Sequence, residues 1–126
     1  MNKRNTGNKY EDMSCEYLED NGLEIIERNF KCKIGEIDII ARDDKYTVFV
    51  EVKYRGSDQY GGALRAVDHR KQKKICKVSD YYRIIHKLDE YTPFRYDVLA
   101  VEGEGELLKF KWIKNAFDYT SGRRYI

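Results

Sequence analysis

Glu51-Val52-Lys53 closes the run Tyr46-Thr47-Val48-Phe49-Val50, the strongest strand signal in the chain. Side chains alternate along a strand, so Val48, Val50 and Val52 share one face while Phe49, Glu51 and Lys53 share the other. A carboxylate and an ammonium in so apolar a strand are costly to bury unless they are paired or metal-bound. The two sit roughly 6.5–7 Å apart along the strand. A second carboxylate, Asp38, lies in the alternating run Glu36 to Ala41, on the face of Glu36 and Ile40, with Ile37, Ile39 and Ala41 opposite. Two carboxylates within several ångströms repel each other, and a divalent cation is the usual remedy. All-oxygen donors favour Mg2+ or Mn2+ over zinc. The competing explanation is a structural ion network in which Asp38 and Glu51 pair with Lys53 and Arg55.

Whether Asp38 meets Glu51 depends on the register of the hairpin that joins their strands. Antiparallel partners have numbers of constant sum. Asp38 opposite Glu51 gives 89, pairs Arg42 with Thr47 and leaves a four-residue loop from Asp43 to Tyr46. A two-residue loop, Asp43-Asp44, gives 87 and places Glu51 diagonal to Asp38. Either even loop puts both carboxylates on one face, and an odd loop separates them unless a bulge intervenes. Glu36 shares that face and is a candidate further ligand.

A second chemical signal lies downstream. Arg70, Lys71, Lys73, Lys74 and Lys77 crowd into eight residues, with Arg65 and His69 just before. If Asp68 is the N-cap, two of these cations stand in the first turn, where the helix dipole disfavours them by about 0.3–1 kcal/mol each. A solvated face explains most charge runs; phosphate binding explains this placement better. Arg55 and the tail Arg123-Arg124 would extend the patch. His69 and His86 read as solvent-facing helix residues.

These residues need elements to hold them. Tyr10, Met13, Ser14, Tyr17 and Leu18 keep helical spacing, closed by Asn21-Gly22. Leu23 to Lys33 reads as a strand with an irregular middle. Glu36–Ala41, the turn Arg42–Lys45 and Tyr46–Lys53 follow as a hairpin. A glycine-bearing loop, Ser57 to Gly62, leads to a helix from about Asp68 to Lys87, in which Ile75, Val78, Tyr82 and Ile85 keep the period. Pro93 ends the helical region. Phe94–Val101 and Leu107–Ile113 are strands joined by Glu102-Gly103-Glu104-Gly105. The order α-β-β-β-α-β-β predicts an α/β fold: a mixed sheet, three strands of it a meander, with helices packed on it.

Composition bounds the rest. The 126 residues are enough for one domain with one real core, from about residue 9 to 117, and polar or basic ends at 1–8 and 120–126. Lys plus Arg is 24 and Asp plus Glu is 22, a formal charge of only +2, so any nucleic-acid argument rests on where the charges sit. Cys15, Cys32 and Cys76 have no metal-ligand spacing, and reduced thiols are expected. The N-terminus lacks the apolar stretch of a signal peptide, and no run approaches a membrane span. A soluble cytoplasmic protein with no membrane partner is the expectation.

Asp38 followed by Glu51-x-Lys53 across a hairpin resembles the PD-(D/E)xK nuclease signature, with Ile37 in the proline position. The surrounding words are more specific. Gly35-Glu36-Ile37-Asp38-Ile39-Ile40-Ala41, Val48-Phe49-Val50-Glu51-Val52-Lys53-Tyr54-Arg55, Arg95-Tyr96-Asp97-Val98 and Asn115-Ala116-Phe117 resemble the small bacterial YraN-like family (UPF0102). That family is related to archaeal Holliday-junction resolvases in the restriction-endonuclease-like superfamily. The resemblance runs from Gly7 to Phe117 and implies an αβββαβ core with a divalent-metal phosphodiesterase-type site. By position, Asp38 and Glu51 would ligate the metal and Lys53 would assist the attacking water. Glu11 takes the family's first-helix glutamate position, followed by Ser14 and Tyr17-Leu18, although Tyr10 stands where the family has glycine.

The expected function is therefore Mg2+- or Mn2+-dependent hydrolysis of phosphodiester bonds in DNA, with branched or repair intermediates among the substrates and RNA left open. Asp38, Glu51, Glu11 and the Val52 carbonyl would hold the metal. Lys53 would orient water and stabilise transition-state charge. Arg55, Arg70, Lys71, Lys73, Lys74 and Lys77 would contact nucleic acid. A homodimer follows only by analogy with resolvases, whose junction substrates are symmetric. The rival is a non-catalytic module on the same fold that binds nucleic acid or recruits a partner. A two-carboxylate glycosidase leaves Lys53 and the basic helix without a role.

Overall fold

The computed structural model describes residues 3–55, 67–103 and 105–121, apart from the side chains of residues 3–8 and of Arg55. The expected Ser57–Gly62 loop, Arg65, the Arg55 side chain and Arg123-Arg124 lie outside the described residues. The elements run α1 (Lys3–Asp20), β1 (Glu24–Lys31), β2 (Glu36–Asp43), β3 (Tyr46–Arg55), α2 (His69–Ile85), β4 (Phe94–Glu102) and β5 (Lys109–Phe117). Strand order in the sheet is β1-β2-β3-β4-β5. All neighbours are antiparallel except β3 and β4, which the α2 crossover makes parallel. This is the α-β-β-β-α-β-β order that periodicity predicts, and it accommodates the restriction-endonuclease-like core.

Each helix covers one face of the sheet. On the α1 face, Cys15 and Leu18 pack with Ile39, Ala41, Val48, Val50, Leu99 and Val101. On the α2 face, Ile75, Cys76, Val78 and Tyr82 pack with Ile40, Phe49, Tyr96, Val98 and Ala100. Val48, Val50 and Phe49 are at most 1% exposed, and burying each such side chain contributes about 1.5–3 kcal/mol. The strand that carries Glu51 and Lys53 is thus anchored from both sides.

The helix boundaries have local causes. Leu23 N–H donates to the Leu18 carbonyl at 3.0 Å once Gly22, at φ +100°, has turned the chain out of α1. Asp68 caps α2, its side chain accepting the Lys71 amide at 2.9 Å. The Ser79 and Tyr96 hydroxyls, 2.6 Å apart, tie α2 to β4.

Three strand details differ from expectation. The hairpin keeps the sum of 89, with Ile39↔Val50 and Arg42↔Thr47, but also pairs Asp43 with Tyr46. The loop is therefore Asp44-Lys45, and Asp44 at φ +56° supplies the left-handed residue a two-residue turn needs. Ile37 leaves the face of Ile39 and joins Phe30 and Val78 on the α2 side. The alternation slips between the pairs Arg28↔Ile39 and Phe30↔Ile37, where Asn29 takes φ +55°. Residues Gly105–Leu107 form a 3-10 turn rather than a strand start, and β5 runs on to Phe117.

Candidate functional site

Asp38 and Glu51 open onto one cleft of about 550 Å³ between the sheet and the first turn of α2. Val52 and Glu36 line it from the strands, and Arg70, Lys71 and Lys74 line it from the helix. The ladder between β2 and β3 reaches Ile39↔Val50, and beyond it the Val52 N–H donates to Asp38 Oδ2 at 2.8 Å. The carboxylate thus takes the role of a ladder carbonyl and is fixed by backbone.

Glu51 is only 6% exposed. Its Oε2 lies 2.6 Å from Lys71 Nζ and 3.5 Å from Lys53 Nζ. Two ammonium groups therefore converge on one buried carboxylate oxygen. A buried carboxylate keeps its charge only while cations accompany it, whether these ammonium groups or a metal ion.

Electrostatics separates the two acids. Burial, then the hydrogen bond and charge of Glu51, push the Asp38 carboxyl up to about 8. Burial also works against the Glu51 charge, but Asp38, Lys71 and Lys53 together outweigh it and hold Glu51 below the usual carboxylate range. Burial and the neighbouring Lys71 lower Lys53 despite Glu51, whereas Lys71 is raised by Glu51 against its own burial. One acid is held protonated and the other ionised, the pattern of a close carboxylate pair.

The remaining expected residues are distributed as follows. Glu11 stays on the α1 side: its Oε1 accepts from Arg28 Nε at 3.0 Å and from Asn29 Nδ2 at 2.7 Å. Asn29 stands across from Asp38 on the neighbouring strand, so Glu11 is held one strand away from the pair rather than in the cleft. Tyr10, in the glycine position, packs its ring on Tyr54 at 4.6 Å and belongs to the α1-side cluster. Lys73 and Lys77 are exposed and do not line the cleft, whereas Lys71 is drawn into it. Helical phase thus divides the basic run. His69 is exposed, and exposed His86 lies against the Tyr82 ring.

Two features fall outside the roles expected from residue type and spacing. The Lys71 side chain belongs to the carboxylate site. Its signal is its place three residues after the cap Asp68, which fixes the turn that aims it inward. Asp97 is completely buried and accepts from Arg95 Nε, Trp112 Nε1 and Asn115 N at 3.0, 2.9 and 2.9 Å. Arg95 also reaches Asp43 at 2.9 Å, which ties β4 to the far end of the hairpin. That network is structural and lies away from the cleft.

Among the described residues no three acidic, histidine or cysteine side chains converge as a ready-made metal cage. Asp38 and Glu51 nevertheless fit Mg2+ or Mn2+, which bind through one or two carboxylates and keep several waters. Two carboxylates lining one cleft, Glu51 nearly fully buried, are the structural mark of that fit. Cys15, Cys32 and Cys76 are all free thiols. No helix among the described residues is long and apolar enough to cross a membrane.

Comparison with known proteins follows the same span. The model of a family described as "Uncharacterised protein family UPF0102" matches residues 10–101. A UPF0102 protein of Syntrophus aciditrophicus (strain SB) is 47% identical over 118 residues, 94% of this chain and 92% of that protein. A UPF0102 protein of Lachnoclostridium phytofermentans is 42% identical over 118 residues, 94% of this chain and 97% of that protein. One from Legionella pneumophila is 39% identical over 108 residues, 86% of this chain and 90% of that protein. The segment matched by the family model contains Glu11, both cleft carboxylates, Lys53 and the basic first half of α2.

Proposed function

The chain belongs to the uncharacterised protein family UPF0102, and on that footing we propose that it is a divalent-metal-dependent nuclease that hydrolyses phosphodiester bonds in DNA. The observation that carries this is the carboxylate pair: Asp38 and Glu51 line one cleft, with Glu51 only 6% exposed. Asp38, Glu51 and the Val52 carbonyl would hold Mg2+ or Mn2+, while Glu11 stays with Arg28 and Asn29 outside the cleft. Such an ion, when bound, polarises a phosphate oxygen and acidifies a water.

The chain's own residues do the rest. The Val52 amide holds one oxygen of Asp38 in place, which orients the carboxyl toward the cleft. Lys53, kept near Glu51 at 3.5 Å, orients water and answers the negative charge that builds on the phosphate. Arg70 and Lys74 on the cleft wall, with Lys73 and Lys77 outside it, give a backbone-reading surface independent of sequence. Among the described residues lining the cleft there is no serine, threonine or cysteine, so water is the natural nucleophile.

The test is cleavage of linear, nicked and branched DNA with Mg2+ or Mn2+. Activity is expected in the wild type and lost in Asp38→Ala and Lys53→Ala; undiminished cleavage in either variant rejects the assignment. The Lys71–Glu51 contact at 2.6 Å favours one rival, a non-catalytic nucleic-acid-binding module whose carboxylates are internally neutralised. Salt-sensitive DNA binding in EDTA, with no cleavage under any metal, selects that rival.

A further inference from the structure

Within the basic run of α2, Lys71 turns its ammonium into the protein. Its neighbours Lys73 and Lys77 extend into solvent, and Lys74 lays its stem against Gly35. Lys71 instead reaches Glu51 Oε2 at 2.6 Å, closer than the strand's own Lys53 at 3.5 Å. The Asp68 cap supports this contact, because it fixes the Lys71 backbone at the third position of α2. Yet the side chain is 42% exposed, so it retains room to move outward.

We propose that Lys71 is a resident counter-ion of the carboxylate pair, which a divalent cation must displace into the cleft before the site is loaded. The proposal rests on the metal-site assignment above. A cation drawn to Glu51 Oε2 and the Lys71 ammonium compete for the same buried oxygen, and two positive charges at that spacing repel strongly. Lys71 thereby sets how much free metal the protein needs. It also keeps Glu51 neutralised until metal arrives, which prevents an uncompensated buried charge. Once displaced, its ammonium is added to the Arg70 and Lys74 side of the cleft.

The test is titration of the full chain with Mn2+ alone, by calorimetry, in wild type, Lys71→Met, Lys71→Arg and Asp38→Asn. Lys71→Met is expected to bind Mn2+ roughly tenfold tighter, the effect of deleting one nearby positive charge. Lys71→Arg keeps a cation and is expected to stay close to the wild type. A second reading uses acylation of lysine amines followed by mass spectrometry: saturating Mg2+ should raise labelling of Lys71 but not of exposed Lys73. Equal or weaker Mn2+ affinity in Lys71→Met, or Lys71 labelling indifferent to Mg2+, overturns the displacement while Asp38-dependent binding in the wild type keeps the site assignment. Absence of Asp38-dependent Mn2+ binding in the wild type overturns the site assignment itself, and the displacement with it.

Discussion

Asp38 Oδ2 accepts the Val52 amide at 2.8 Å, so a side chain of β2 completes the hydrogen bonding of β3 where the two strands stop pairing. Burial raises the cost of leaving that amide unpaired, and Asp38 therefore has a structural duty and a chemical one. The acid it offers to a metal is the acid that fixes the end of the hairpin.

That double duty predicts a pH signature. The Asp38 carboxyl is pushed up to about 8, first by burial and then by Glu51. Below that value a metal must expel a proton to use this oxygen, so log affinity should rise by about one per pH unit and level off above it. Calorimetry in buffers of different ionisation heat should find close to one proton released per ion at neutral pH. Affinity that ignores pH in this window sinks the idea. Without metal the sign is the reverse for folding: a raised acid contributes stability at low pH, which is lost as pH climbs from the ordinary carboxylate range through about 8. Asp38→Asn should flatten that decline.

Asp97 carries a different prediction. Its fully buried carboxylate holds Arg95, the Trp112 indole and the Asn115 amide together. Asp97→Ala leaves all three donors and one guanidinium charge without that acceptor, and should cost about 3–5 kcal/mol in urea unfolding. A loss below about 1 kcal/mol would mean that water replaces the carboxylate easily.

Much of this architecture is legible in the residue pattern. Alternation identifies β2 and β3, and an even loop places Asp38 and Glu51 on one side of the sheet. The turn itself is not legible, because Asp43-Asp44 and Asp44-Lys45 are both good two-residue turns and only strand register separates them. Ile37 misleads the alternation because the phase slips between the pairs Arg28↔Ile39 and Phe30↔Ile37, where Asn29 has positive φ. Charge alone does not tell Lys71 from Lys73 or Lys74. Its distinction is angular, one phase of the helix pointing at Glu51. Glu11 is visible as a family position, but its hold by Arg28 and Asn29 is a tertiary fact.

Asn29 offers a test of the left-handed backbone in β1. Its left-handed backbone, φ +55°, suits glycine as well as asparagine, but either glycine or valine removes the amide that donates to Glu11. Asn29→Gly should keep the fold close to wild type. Asn29→Val should lose about 1–2 kcal/mol to backbone strain in addition. Equal stability of the two variants, compared by thermal unfolding, would show that β1 does not depend on this twist.

The basic helix predicts a salt effect. Arg70, Lys73 and Lys77 are exposed, and neutralising all three leaves Lys71 and the carboxylates in place. The slope of log K against log salt should become shallower by about 0.9 for every duplex phosphate that the variant no longer neutralises. Folding should be unharmed, since Arg70 sits where the helix dipole disfavours cations. An unchanged slope assigns these side chains to solvent alone.

Gly35 controls a gap. A Cβ there would stand 3.1 Å from Lys74 Cδ and 3.5 Å from Val78 Cγ2. Alanine would force the lysine stem to shift slightly. A longer side chain would have to take its room from Val78 and thus from the seating of α2. Since Lys71 rides on the same helix, the hydrogen at residue 35 acts as the thinnest available shim between helix and sheet. Thickening it would move the cation and the carboxylates apart without touching either.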